Sequence, residues 1–236
     1  IKMGVPRLFP YISRNFNGSV ITFDNGAIIY YVDHLYIDAN AILHNSAQHI
    51  FNYGSEIRIN DQYKDFSFEE KILKLYQHFF NTIRNITNTI VPRKTLYIAL
   101  DGPAPIAKQA QQRQRRFISA RDREGKIGAF DSNMITPGTI FMYNLTMYMF
   151  YAIRKELNTS LRWRQLKIIY SPTNVPGEGE HKIMNYIREN MNNFNNKDKH
   201  CFYGPDGDLI MLTLAAHIDN MYLLRTNMDM KTKYDL

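Results

Sequence analysis

Short, unbroken apolar runs separated by longer stretches of helical spacing set the strongest limit on how this chain folds. "HLYIDAN", "RKTLYIALD", "QLKIIYS", "KHCFYG" and "NMYLLRT" each read as a strand with few polar positions. Between them, "AILHNSAQHIF", "FSFEEKILKLYQHFFNTIRNI", "AKQAQQRQRRFISARDR", residues 138–157 and "DLIMLTLAAH" read as helices. In the second of these, Ile72, Leu75, Phe79 and Ile83 fall on one stripe. Strands alternating with helices predict an α/β chain, a mostly parallel twisted sheet with helices on both faces. Continuous apolar strands fit a sheet buried on both sides. The Asn-Gly pair in "VITFDNGAIIYYVD" adds an expected β-hairpin ahead of these strands. A single domain over residues 3–236 is expected, with no internal repeat or long linker. Ile1 and Lys2, before Met3, read as an expression scar. The end, "NMDMKTKYDL", shows no helix stop and reads as cut from a longer polypeptide.

Charge and composition narrow the partner. The formal net charge of +7 and a pI near 9.3 favour an anionic ligand. The single cysteine, Cys201, excludes an internal disulfide framework and fits a reducing compartment, the cytoplasm or else the nucleus. No apolar run at the start leads to a cleavage site, so no secretory signal is read. Asn144, Thr146 and Arg154 interrupt the most apolar segment, "TPGTIFMYNLTMYMFYAIRKEL", which therefore reads as a buried helix. No membrane partner is expected.

The acidic residues give the chemistry its direction. In open α/β sheets, ligands bind beyond the carboxyl ends of the strands. Asp38 closes "LYID" and Asp101 closes "TLYIALD". Glu178 and Glu180 follow "KIIYS", and Asp206 and Asp208 follow "CFYG". Taken singly, Asp38 or Asp101 reads as a turn residue or helix N-cap. Glu178 and Glu180 alone would only complement a helix N-terminus, and "PDGD" alone is a common turn. Four strand ends agreeing is a different matter: six like charges at one edge repel unless cations neutralise them. Oxygen donors of this kind suit hard ions such as Mg²⁺ or Mn²⁺. In extended backbone, residues two apart point the same way, so each acidic pair is expected to bracket one ion or bridge two. Glycines at 177, 179, 204 and 207 are expected to let a metal or phosphate approach.

Residues 108–126 carry seven Lys or Arg against two acids, a net +5 that accounts for most of the chain's excess. Lys108, Gln112, Arg115 and Arg116 share one helix face. A donor-rich face near an acidic cluster is what a terminal phosphate requires; a solvated surface helix is the plainer reading. Arg121 and Arg123 sit beside acids and read as ordinary surface.

At this point the residues resemble a known family. "MGVPRLFPYIS", "LYIDANAILHN", "DGPAPIAKQAQQRQRRFISA", "ITPGT", "VPGEGEHKIMNYIR" and "YGPDGDLIML" look like the Xrn family of 5′→3′ exoribonucleases, in the family's order. The resemblance runs from residue 3 to about 225 and covers the first part of that family's first conserved region. It implies a PIN-like or flap-endonuclease-like nuclease fold and two-metal hydrolysis with Mg²⁺ or Mn²⁺. It further implies stepwise degradation of 5′-monophosphorylated single-stranded RNA to nucleoside 5′-monophosphates, in RNA decay or processing. The family's catalytic and metal-site acids fall on Asp38, Asp101, Glu178, Glu180, Asp206 and Asp208. Its 5′-phosphate pocket falls on Lys108, Gln112, Arg115 and Arg116. A histidine that stacks on the leading base falls on His44, for which a satisfied helix histidine is an equal reading; His181 and His217 look structural.

Four departures stand out. The family's further aspartate, in a Gly-Asn-Asp type motif, and its second conserved region have no counterpart here, and Trp163 lies in another motif. The family's Asp-Ala-Asp is Asp206-Gly207-Asp208, and the stretch before "FDSNMITPGT" is shorter than usual. Two other readings stand beside the main one: a flap-type, structure-specific DNA nuclease, and a catalytically incomplete RNA-binding module.

Overall fold

A computed structural model describes residues 8–16, 18–24, 29–54, 57, 61–123, 130–226 and 233–235. The helices are α1 (Leu8–Asn15), α2 (Asn40–Phe51), α3 (Phe68–Thr89), α4 (Ile106–Arg123), α5 (Ile140–Thr159), α6 (Leu161–Arg164), α7 (Gly179–Asn190) and α8 (Asp208–Leu214). The strands are β1 (Thr22–Asp24), β2 (Tyr30–Asp38), β3 (Ile90–Ala99), β4 (Lys167–Ser171), β5 (His200–Tyr203), β6 (Met221–Thr226) and β7 (Lys233–Asp235).

Five strands, in the order β4-β3-β2-β5-β6, run parallel, and β7 then β1 extend the sheet antiparallel beyond β6. The predicted α/β architecture is what the chain adopts. The predicted hairpin is not. β2 pairs with β3 along its length and with β5 over His34–Ile37, and β1 pairs with β7 instead. Residues 25–28, where the Asn-Gly turn was expected, lie outside the described residues.

The alternation of side chains along each strand feeds two cores, one per face. Leu35, Ile37, Leu96, Ile98, Cys201 and Tyr203 face a large core completed by α2, α3 and α5. Tyr36, Tyr97, Ala99 and Phe202 face a smaller one under α7 and α8. Helix α3 begins as its sequence requires: Ser67 accepts from the Glu70 N–H while the Glu70 carboxylate accepts from the Ser67 N–H. Of its apolar stripe, Leu75, Phe79 and Ile83 are fully buried and Ile72, near the start of the helix, is partly buried. Residues 138–157 fall largely within α5 but are buried on one face only: Phe141, Leu145 and Met149 enter the core, while Tyr143, Met147, Phe150 and Tyr151 on the other face are exposed. No helix among the described residues is long and apolar enough to cross a membrane.

At the other end of the parallel strands lies a buried polar cluster the sequence did not announce. The Tyr36 hydroxyl meets His200 Nδ1 at 2.9 Å, His34 Nε2 meets Asp198 Oδ2 at 3.1 Å, and the two imidazoles stack with centroids 4.6 Å apart. Burial, reinforced by His34, pushes His200 down to about 4. A histidine held neutral this way contributes stability that is complete above its ordinary value of 6.5 and is lost as the pH falls from there through 4. The stability advantage of the natural protein over His200→Phe should therefore shrink by on the order of 2–3 kcal/mol between pH 7 and pH 4. Urea denaturation of both proteins across that range measures it; a constant difference would contradict the assignment.

Candidate active site

The carboxyl ends of the parallel strands collect the acids by simple chain geometry. Asp38 is the last residue of β2, and Asp101 follows β3 by two residues. Glu178 stands at the N-terminal boundary of α7 with Glu180 in its first turn, and Asp208 opens α8 with Asp206 just before it. The acidic pairs therefore do not lie in extended backbone, as the sequence suggested. Each straddles a helix start, because the loops after β4 and β5 turn directly into α7 and α8.

Main-chain contacts draw these segments together. The Gly102 N–H donates to the Gly177 carbonyl and the Gly177 N–H to the Pro103 carbonyl, lacing the loop after β3 to the loop before α7. Only glycine fits at 102, since a Cβ there would lie 1.8 Å from the Val175 carbonyl oxygen. The Gly179 N–H donates to Asp101 Oδ1 at 2.7 Å, and a Cβ on Gly179 would lie 2.7 Å from Asp38 Oδ1. Of the four glycines singled out in the sequence, this is the one that opens onto carboxylates. A Cβ on Gly204 would instead strike Leu209, and Gly207 faces open space.

Asn40, which sequence reading passed over, holds the two central acids. Its amide oxygen accepts from the Asp101 N–H at 3.1 Å and its own N–H reaches Asp38 Oδ1 at 3.4 Å. An asparagine two residues after a strand-end aspartate is an ordinary helix-start signal, so its second role had no local mark.

The charges feel one another. Asp38 is buried, and burial together with the Asp101 charge pushes its carboxyl well above the usual range. Asp101 is raised by burial, with Glu178 adding to it and the Gly179 hydrogen bond opposing it. Glu180 rises to about 7 through burial and the charges of Glu178, Asp206 and Asp208. Glu178 makes no cap bond to its helix; its carboxylate pairs with Lys108 Nζ at 2.9 Å. Asp206 is solvent-exposed. Among the described residues, no three Asp, Glu, His or Cys side chains close into a ready ligand set. What does fit a hard divalent ion is the chemistry of the donors. They are oxygens only, they come from four chain segments, and one of them, Asp38, is a buried acid raised by burial and by the Asp101 charge.

The basic face of α4 divides between two cavities. Gln112, Arg115 and Arg116 line one of about 300 Å³ together with Asp101, Asn40 and His44. Its far wall is Ser132, Asn133, Thr136, Pro137 and Met142, from the "ITPGT" region and the start of α5. Lys108 lines the neighbouring cavity, of about 700 Å³, with Glu178, Glu180 and Asp208. The four predicted phosphate-pocket residues thus do not share one wall: Lys108 stands with the acids. Arg116 donates to Gln112 Oε1 at 3.4 Å, and the Asn133 amide donates to the Arg116 carbonyl, tying the two walls together. His44 is exposed at the cavity rim rather than locked into the core. His181 is exposed, 3.7 Å from Glu180, and His217 occupies a left-handed turn after α8.

The family model described as "XRN 5'-3' exonuclease N-terminus" matches residues 3–227. The chain is 40% identical over 238 residues to "5'-3' exoribonuclease 1" of Saccharomyces cerevisiae, covering 94% of this chain and 15% of the relative. It is 40% identical over 221 residues to "5'-3' exoribonuclease 2" of Arabidopsis thaliana, covering 83% and 20% respectively. With "5'-3' exoribonuclease 1" of Homo sapiens the identity is 36% over 238 residues, covering 94% and 13%. The chain spans a fifth or less of the length of these relatives.

Proposed function

The chain belongs to the XRN 5′-3′ exonuclease family, and from that premise we propose that it is a 5′→3′ exoribonuclease. Its substrate is single-stranded RNA bearing a 5′-monophosphate, which it shortens stepwise to nucleoside 5′-monophosphates with Mg²⁺ or Mn²⁺, in RNA decay or processing in the cytoplasm or nucleus. The observation that carries this reading is one cavity lined both by Asp101 and by Gln112, Arg115 and Arg116. A phosphate-binding face and a metal-binding edge in one cavity let the terminal phosphate measure the distance to the first phosphodiester.

In this reading Asp38, Asp101, Glu178, Glu180, Asp206 and Asp208 hold the ions. Bound divalent ions supply charge neutralisation, activation of the attacking water and stabilisation of the departing oxygen. The protein's own groups do the positioning. Arg115 and Arg116 offer forked donors to the terminal phosphate, and Gln112 adds an amide. Asn40 and the Gly179 N–H keep Asp101 and Asp38 from turning away. Lys108, paired with Glu178, stands where the acid edge meets the basic helix and is available to an incoming phosphate. His44, at the rim of the same cavity, is placed for stacking on the leading base. A cavity of about 300 Å³ lined by Gln112, Arg115 and Arg116 suits a single terminal phosphate.

Arg115→Ala should lower kcat/KM on 5′-monophosphate RNA by about 10–100-fold while changing turnover of 5′-hydroxyl RNA little. Competition kinetics on the two substrates measure this. Equal losses on both would count against the pocket, and preferential cleavage of branched DNA would replace the exoribonuclease reading with that of a flap-type nuclease.

A further inference from the structure

Lys182 is the one buried lysine among the described residues, only 7% exposed. It lies in the first turn of α7, and its ammonium donates to the main-chain oxygens of Leu100 and Pro172 at 2.8 Å each. Leu100 immediately precedes Asp101, and Pro172 immediately follows β4. The side chain is therefore seated among the ends of neighbouring strands, against the same loops that carry the acids. Neither hydrogen-bond acceptor is a carboxylate, so its unit charge is not consumed by a direct ion pair. Its nearest influential anions are Asp101 and Asp38.

That arrangement is costly. Burying an ammonium carries a desolvation penalty, and a neutral donor would satisfy two carbonyls without it. What favours the charged form here is the pair of acids, Asp101 and Asp38. Lys108 provides a contrast: it is partly exposed, touches Glu178 directly and faces the open cavity, so an incoming ligand can draw it away. Lys182 has no such freedom.

We infer that Lys182 is the built-in counter-charge of the carboxylate edge, a positioning residue that holds Asp38 and Asp101 together when no ion is bound. By the same charge it limits how tightly divalent ions bind. This rests on reading the acids as a metal site. It also assigns the two cations separate duties: Lys108 is exchangeable and faces the ligand, while Lys182 is built into the fold.

The test is an electron paramagnetic resonance titration of Mn²⁺ into the purified protein and into Lys182→Met, without RNA, at pH 7. Removing a fixed positive charge beside the site should tighten Mn²⁺ binding on the order of tenfold. The ion-free variant should melt at lower temperature and recover as Mn²⁺ saturates. A lysine that merely welds the loops would leave Mn²⁺ affinity unchanged or weaker on replacement, and that result would overturn the inference. No Mn²⁺ binding by the unaltered protein would remove the metal-site reading and the inference with it; binding without tightening in the variant removes the inference alone. If Lys182→Met does not fold, ¹⁵N-lysine spectra of the unaltered protein decide. One slowly exchanging ammonium signal should shift in step with Mg²⁺ occupancy, and no such response would overturn the assignment.

Discussion

Asp38→Asn should lower phosphodiester hydrolysis roughly a thousandfold or more and, in the absence of divalent ions, make the protein more stable. The two effects have one cause. Asp38 is buried at the end of β2, and burial and the Asp101 charge raise its carboxyl well above the ordinary range. A carboxyl raised on folding contributes stability only at low pH and loses it as the pH rises through its folded value, so at neutral pH it opposes folding. Asparagine keeps the shape and removes the charge. The same change takes away an oxygen anion that a divalent ion needs. Mg²⁺ at tenfold over its dissociation constant should stabilise the natural protein by about 1.4 kcal/mol and the variant by much less. Urea denaturation with and without Mg²⁺, alongside single-turnover hydrolysis, reads both. A variant that is less stable without ions, or still stabilised by Mg²⁺ to the same extent, would mean that Asp38 is a structural residue.

Gly179→Ala should separate stability from activity in the opposite sense to most helix substitutions. Gly179 is the first residue of α7, and alanine is the better helix former by up to about 1 kcal/mol. A new Cβ would, however, lie 2.7 Å from Asp38 Oδ1 and 3.5 Å from Asp101 Oδ1. The short Asp38 side chain has to swing aside, whereas the approach to Asp101 is ordinary van der Waals contact. A displacement of about 1 Å in positioned groups costs on the order of 10²-fold in rate. The melting temperature should stay within a few degrees of the natural protein while kcat falls to that extent. Activity within twofold of the natural protein would show that the tight approach of helix and carboxylates has no functional role.

Much of the architecture is readable from local pattern. The apolar runs that became β2, β3 and β5 are continuous because both faces are covered, and the alternation of Leu35, Tyr36 and Ile37 between the two cores is what a doubly covered strand requires. The acids at strand ends follow from topology alone: parallel strands all end on one edge, so Asp38 and Asp101 have to meet there. The limits are equally physical. The partner of β1 is set by an edge about 210 residues away along the chain, and a local turn signal carries no information about that. The helix start at Gly179 depends on loop lengths, so the glutamates could be assigned to one edge but not to their backbone conformation. Lys182 sits one residue before Ile183 on the buried side of α7. Its meaning lies in the carbonyls of Leu100 and Pro172, which are distant in sequence. His34 and His200 pair through neighbouring strands for the same reason. The division of Lys108 from Arg115 and Arg116 likewise depends on which loop covers each turn of α4, not on helical spacing.

Exoribonuclease activity is read from the products formed from body-labelled single-stranded RNA carrying a 5′-monophosphate, a 5′-triphosphate or a 5′-hydroxyl. With Mg²⁺ present, nucleoside 5′-monophosphates should be released one after another from the 5′ end of the monophosphorylated RNA, little from the other two, and none once the ion is chelated. Internal fragments, equal attack on all three ends, or RNA bound and left intact would contradict the proposed function.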